Sequence, residues 1–335
     1  MFTTFDKDMK NLIISLLLML FGIMSVQAEK IVVAYLTSGS NEMPTEEYVT
    51  HINYAFGQVN ATFDGITVDR PENLKKITSQ KGELKVLLSI GGWTSGGFSE
   101  MAASTERRLS FAKDCKRVVD EFNLDGIDID WEYPTSSAAG ISSSPDDTDN
   151  YTLLMNDIRN AIGGDKLLTL ASIASAKYID FKAIEPIIDF VNLMVYDVAR
   201  PPYHHAPLYK SDMTNSVTCQ EAVALHMEAG LPADKIVLGM PFYGHGIGNI
   251  TDFIDYKDII NLTGYTQMRD DVAKVPYLIN AEGKLVCTYE DAESIAEKCR
   301  FIHDNGLKGA MYWDYCIDDA KYTLRKAVAK GILNK

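Results

Sequence analysis

The chain has 335 residues, 46% of them hydrophobic and 23% charged. That balance suits one large domain or two small ones with a full core, and excludes overall disorder. The formal net charge of −14 repels phosphate backbones and anionic lipids, so no nucleic-acid partner is expected, whereas a neutral polymer is compatible with it.

Chain order begins with Lys7 and Lys10, then an apolar run from Leu12 to about Met24, then Val26-Gln27-Ala28. Charged start, apolar middle and small-residue exit make a secretory signal, and the run is short for a membrane span. The pattern predicts a signal over residues 1–28, a mature chain from Glu29, and a secreted or periplasmic protein with no membrane attachment after signal removal. No cysteine stands near the exit to carry a lipid. The five cysteines, Cys115, Cys219, Cys287, Cys299 and Cys316, are odd in number and scattered, which argues against a disulfide framework. Most are expected to be small buried side chains, and a Cys287–Cys299 bridge is left open.

Eight short apolar runs follow: Ile31–Leu36, His51–Phe56, Val86–Ile90, Ile127–Trp131, Leu167–Ile173, Phe190–Tyr196, Ile236–Met240 and Gly309–Trp313. They are continuous rather than alternating, as in parallel strands buried on both faces. Helical spacing fills most intervals, over Glu106–Phe122, Asn150–Ile162, Cys219–Ala229 and Ala292–Asn305. The order predicts an α/β chain, a single (β/α)8 TIM barrel over 29–335. The alternative, an open doubly wound sheet, usually carries a glycine-rich phosphate loop after its first strand; Thr37-Ser38-Gly39-Ser40 is not one. A small insertion between strands seven and eight, about 242–289, holds a predicted hairpin: Val275–Ile279, a polar turn at Asn280–Lys284, and Leu285–Tyr289. Thr135–Asp149 is a Ser/Asp-rich loop after strand four.

The informative segment is Asp125-Gly126-Ile127-Asp128-Ile129-Asp130-Trp131-Glu132-Tyr133-Pro134. Residues two apart on a strand share a face, so Asp128, Asp130 and Glu132 point into the barrel while Ile127, Ile129 and Trp131 face the helices; at about 3.3 Å per residue the acids span about 13 Å. Burying three carboxyls costs several kcal/mol unless they share protons and hydrogen bonds. The arrangement does have a chemical use. Neighbouring carboxylates drive one pKa up, and an acid still protonated near neutrality can protonate a glycosidic oxygen. Glu132, at the C-terminal end of its strand where barrel active sites lie, is the candidate general acid.

These residues resemble the Asp-x-x-Asp-x-Asp-x-Glu signature of glycoside hydrolase family 18 chitinases, with Asp125, Asp128, Asp130 and Glu132 in its four positions and Tyr133-Pro134 continuing it. Other segments agree in order: His51–Phe56, Ser89-Ile90-Gly91-Gly92-Trp93, Met194-Val195-Tyr196-Asp197, Ala206-Pro207-Leu208-Tyr209, Gly239–Gly244, Tyr289-Glu290-Asp291 and Gly309–Trp313. The resemblance covers nearly the whole chain after the signal. It implies retaining, substrate-assisted hydrolysis of β-1,4 linkages between N-acetylglucosamine units in chitin or chitooligosaccharides, the family being an exception to the two-carboxylate scheme. Catalytic roles then fall to Glu132 (acid, then base), Asp130 (holding the 2-acetamido N–H), Asp128 (sharing a proton with Asp130) and Tyr196 (bonding the acetamido). Trp313 is the implied floor under the sugar before the cleaved bond. Phe56, Met194 and Tyr243 line that pocket, while Trp93 and Asp197 serve the leaving-group side. Asp125 is expected to brace the turn into its strand.

The resemblance implies no metal and no organic cofactor. His204-His205 invites a metal reading, but adjacent histidines point apart and no third ligand stands at suitable spacing. The expected partner is an N-acetylglucosamine-containing polysaccharide or oligosaccharide, and a monomer is the default state. His245 departs from the pattern, standing where many relatives carry arginine. The segment after strand one is short and lacks a tryptophan, and the insertion is abbreviated; both suggest a shallow groove. Two alternatives remain: an endo-β-N-acetylglucosaminidase acting on N-glycan cores, and a non-catalytic chitin-binding lectin.

Overall fold

The apolar runs are continuous because both faces are covered: one fills the barrel interior and the other packs under helices. In the computed structural model, which describes residues 29–335, all eight runs are parallel strands. They are β1 (Ile31–Thr37), β2 (His51–Val59), β4 (Lys85–Gly91), β5 (Gly126–Asp130), β6 (Leu167–Ile173), β7 (Phe190–Met194), β8 (Ile236–Pro241) and β14 (Gly309–Trp313); β3 (Ile66–Val68) is a short antiparallel partner of β2. β1 pairs with both β2 and β14, which closes the ring. This is the predicted (β/α)8 barrel. The predicted secretory signal, residues 1–28, lies outside the described residues. No helix among the described residues is long and apolar enough to cross a membrane.

Two runs end earlier than their composition implies. β5 stops at Asp130 and β7 at Met194, so Trp131-Glu132 and Val195-Tyr196 leave the ladder and shape the barrel mouth. Inside the barrel, Val33, Tyr35, Ala55, Phe190, Val237 and Met311 form a small buried cluster against which Phe56, Met194, Tyr196 and Trp313 pack. The larger core lies between strands and helices and takes Ile127, Ile129 and Trp131. Trp131 stacks on Phe98 with centroids 5.3 Å apart.

Helix starts follow local hydrogen-bond chemistry. Ser104 caps the helix Thr105–Glu121, its side chain accepting from the main-chain N–H of Arg107. Thr218 with Glu221, and Asp291 with Ser294, make reciprocal capping boxes for Cys219–Glu228 and Ala292–Asp304. Asp147, at the start of Asp147–Ile162, is fully buried and ties down the Ser/Asp-rich loop beside the barrel mouth: it accepts from Ser99 Oγ (2.8 Å), Ser144 N (2.7 Å) and Thr135 N (3.2 Å).

Between β8 and β14 lies a five-stranded antiparallel sheet of β9 (Tyr243–Gly246), β10 (Phe253–Asp255), β11 (Thr266–Asp270), β12 (Val275–Ile279) and β13 (Leu285–Thr288), in the order β10-β9-β13-β12-β11. Its β12–β13 hairpin matches the predicted one to within a residue. A buried ion pair sits where the sheet returns to the barrel. Lys298, fully buried, bonds Glu290 and donates to the carbonyl oxygen of Ala206 at 2.8 Å. All five cysteines are free thiols, so the Cys287–Cys299 bridge left open by the sequence is not formed.

Candidate active site

The register of the barrel decides what surrounds the acidic row. Ser89 on β4 and Thr169 on β6 lie directly beside Asp128 on β5. Ser89 Oγ donates to Asp128 Oδ2 at 2.8 Å and Thr169 Oγ1 to Oδ1 at 2.5 Å. Tyr35 Oη adds 2.9 Å to Oδ2 from β1, and Asn192 Nδ2 adds 3.1 Å to Oδ1 from β7. Asp128 thus accepts four hydrogen bonds while fully buried. Burial pushes its carboxyl up, and the four donors pull it back.

Asp130, one layer higher, has the opposite surroundings. It is 4% exposed, and its Oδ1 has no hydrogen-bond partner. Burial and the charges of Glu132 and Asp128 hold it well above the usual carboxylate range. With donors on Asp128 and none on Asp130 Oδ1, the pair's first proton belongs to Asp130 and its negative charge to Asp128.

Glu132 stands at the top of the row, partly buried. Burial, and next the Asp197 charge, raise its carboxyl to about 7, against a lowering contribution from Tyr133. The floor of the acidic row depends on two glycines. Gly91 and Gly92 adopt φ of 124° and 96°. A side chain at Gly91 would meet the carbonyl oxygen of Asp130 at 2.1 Å, and one at Gly92 the Phe56 ring at 2.8 Å.

A cleft of about 860 Å³ opens above the row. Of the ten residues the sequence singles out, nine line it: Glu132, Asp130, Tyr196, Trp313, Trp93, Asp197, Tyr243, Met194 and Phe56. Asp128 is the tenth and lies beneath them. Trp313 forms a flat base, stacked on Phe56 with centroids 5.7 Å apart and planes 20° apart. Tyr196 lies inside the cleft, its hydroxyl 3.8 Å from Met311 Sδ, and burial keeps it neutral by raising its pKa well above 10. Trp93 is 57% exposed at the rim. Asp125 sits at the far end of β5, accepting from Val86 N at 2.9 Å and Lys81 Nζ at 2.6 Å.

Asp197 accepts from Tyr243 Oη at 2.8 Å and pairs with His245 Nε2 at 2.6 Å. Burial opposes its charge, but its histidine neighbours hold the carboxyl far below the usual range. His205 Nδ1 lies 3.9 Å from Asp197 Oδ1, beyond hydrogen-bond reach, whereas His245 Nε2 makes the direct contact. His204 points elsewhere, to Asp270 at 3.1 Å.

Several further residues line the wall without having been assigned a site role from the sequence. Tyr133 stacks on Tyr178 with centroids 5.7 Å apart, and Phe253 of β10 stacks on Tyr243 at 4.0 Å while remaining 49% exposed. Tyr133 could have been found, since it directly follows Glu132. Tyr178 and Phe253 lie in loop and insertion segments whose position depends on tertiary packing.

The family model described as glycosyl hydrolases family 18 matches residues 31–318. Chitinase A1 of Niallia circulans is 37% identical over 322 residues, covering 80% of this chain and 46% of that protein. Chitotriosidase-1 of Mus musculus is 27% identical over 321 residues, covering 81% of this chain and 68% of the other. Among solved structures, a glycoside hydrolase family 18 N-acetylglucosaminidase from Paenibacillus barengoltzii superposes with TM-score 0.82 at 32% identity, over 90% of this chain and 100% of that one. Chitinase ChiA74 from Bacillus thuringiensis gives TM-score 0.81 at 26% identity, over 91% and 70%. The chain therefore spans just under half of the first curated relative and the whole of the first solved one.

Proposed function

The chain belongs to glycosyl hydrolase family 18, and from that premise we propose that it hydrolyses β-1,4 linkages between N-acetylglucosamine units of chitin or chitooligosaccharides, with retention and with Glu132 as general acid. The observation that carries the reading is the graded acidic row, with Asp128 held by four donors, Asp130 Oδ1 unpartnered and Glu132 raised to about 7 at the cleft floor.

In the first step the protonated Glu132 gives its proton to the glycosidic oxygen as the C1–O bond breaks. The carbonyl oxygen of the sugar's own 2-acetamido group attacks C1 from the opposite face and forms an oxazolinium ion, the route by which this family departs from two-carboxylate chemistry. Tyr196 bonds the acetamido group. One proton shared by Asp128 and Asp130 gives the pair a single charge throughout. That charge rests on Asp128 in the free protein, and moves to Asp130 when the acetamido N–H and the positive ring face it. In the second step water attacks C1 from the leaving-group side, Glu132 removes its proton, and the oxazolinium C1–O bond breaks. Two inversions give net retention. Trp313 supplies the flat apolar surface under the sugar before the scissile bond, with Phe56, Met194 and Tyr243 around it. Trp93 and Asp197 hold the leaving portion.

The Paenibacillus relative is an N-acetylglucosaminidase at 32% identity, which favours a second reading: release of single sugars from chain ends by the same chemistry. Product analysis of chitotetraose digestion separates the two, monosaccharide alone marking the exo mode. The main test sets chitotetraose against a glycoprotein carrying high-mannose glycans, with Glu132→Gln as control. Chitotetraose cleavage lost in the variant supports the proposal. Glycan release without chitotetraose cleavage makes the protein an endo-β-N-acetylglucosaminidase, and binding without cleavage of either makes it a lectin. The secretory signal over 1–28 and the monomeric state belong to the same reading; N-terminal sequencing of exported protein and light scattering test them.

A further inference from the structure

One cluster in the cleft wall joins Asp197, already placed on the leaving-group side, to two histidines that the hydrolytic steps do not use. Asp197, His205 and His245 each place a carboxylate oxygen or ring nitrogen within 4.8 Å of the other two. They arrive from just beyond β7, from the following loop and from β9, so their 8- and 40-residue separations gave no ligand-like spacing.

His205 is the first reason to expect a ligand. It is 0% exposed, and neither ring nitrogen has a hydrogen-bond partner. An orphaned imidazole at that depth costs free energy that a ligand at the nitrogen recovers. Its Nδ1 is 3.9 Å from Asp197 Oδ1, and donors on one tetrahedral zinc, each about 2.0–2.1 Å from the ion, stand about 3.3 Å apart. Closing that gap takes about 0.6 Å, and the 2.6 Å contact between Asp197 and His245 opens by about 0.7 Å to admit the ion.

His245 is the second reason. Its Nδ1 lies 2.8 Å from both the main-chain oxygen and the carboxylate Oδ1 of Asp252, so that nitrogen carries the ring proton. Nε2 faces Asp197 Oδ1 at 2.6 Å, a contact in which a bound metal ion would take the place of the shared proton. A rear N–H held by a carbonyl and a carboxylate, with the front nitrogen free to ligate, is how metal-binding histidines are oriented.

We propose that Asp197, His205 and His245 form a site for one divalent transition-metal ion of the zinc class, with Asp252 orienting His245 from behind. Two imidazoles and one carboxylate suit zinc, cobalt or nickel rather than the oxygen-rich shells of calcium and magnesium. The fourth position faces the cleft, which Asp197 and His245 both line.

The test uses the full chain freed of metal by a chelator. Co2+ is followed by its visible absorption and Zn2+ by titration calorimetry. One ion per chain is expected, with the intense d–d bands of four- or five-coordinate cobalt, displaced by Zn2+. His205→Gln and His245→Gln should each weaken binding about 10- to 100-fold, and the exposed His303→Gln should not change it. Should His205→Gln lose its native circular dichroism, Asp252→Asn, on a side chain 67% exposed, is expected to weaken binding about tenfold in a folded protein. Absence of saturable Zn2+ binding, or equal affinity in every variant, overturns the site. No turnover is measured, so this proposal and the hydrolytic one fail separately.

Discussion

The state of Glu132 sets the alkaline side of the pH profile. Burial and the Asp197 charge raise its carboxyl from 4.5 to about 7. A shift of that size corresponds to about 3 kcal/mol between its two protonation states. The working form is protonated, so a raised value extends activity upward in pH and loses it as pH rises through about 7. At pH 7 about half of the protein then carries the proton, against about 0.3% for an unshifted carboxyl, a difference of roughly 150-fold in competent enzyme. The assay is kcat/KM for chitotetraose from about pH 4 to about pH 9, where one tenfold fall per pH unit is expected above the midpoint. Glu132→Gln should lose the activity at every pH. An alkaline limb centred near 4.5, or a Glu132→Gln protein with wild-type turnover, would refute the assignment of the acid.

Asp130→Asn should lower kcat about 100- to 1,000-fold by removing the charge that faces the oxazolinium ion, yet raise the thermal midpoint by about 2–4 °C, equivalent to about 1 kcal/mol. The sign follows from linkage: Asp130 is raised in the folded state, so its contribution to stability falls as pH rises. The variant's gain in a melting curve is therefore larger at alkaline than at acid pH. Trp313→Ala removes the flat base of the cleft; about 2 kcal/mol of lost contact predicts a fall of roughly 30-fold in kcat/KM, measured on chitooligosaccharides. Lys298→Met strands the buried Glu290 and should cost about 3–5 kcal/mol in urea unfolding, most of it recovered when Glu290→Leu is added. The short segment after β1 and the small insertion favour soluble chitooligosaccharides over crystalline chitin; comparable rates on the two would sink that expectation.

The barrel was legible because its strands are buried on both faces, and that leaves a continuous apolar signature which no turn interrupts. The acidic row was legible because three carboxyls at period two on such a strand have no structural use. The sheet between β8 and β14 was less so. β10 has three residues, and β11 exposes most of its length, so neither shows an alternation to read beyond the β12–β13 hairpin. The grip on Asp128 was also out of reach, since its four donors come from four other strands and only the barrel register brings them together. His205 and His245 converge on Asp197 from a loop and from the inserted sheet, whose placement no local pattern announces.

The closure of the ring by β1 has a consequence for how the protein is made. Its two neighbours are β2, within 20 residues, and β14, which begins at Gly309. A chain emerging from its N-terminus therefore holds one open edge on β1 and another on the newest strand until about nine-tenths of it has appeared. Open edges recruit other chains, and pairing across such a separation is slow. Loss of β14 by truncation or early termination should thus yield aggregate rather than a smaller soluble enzyme, and a holding chaperone should act on this protein until its last strand arrives.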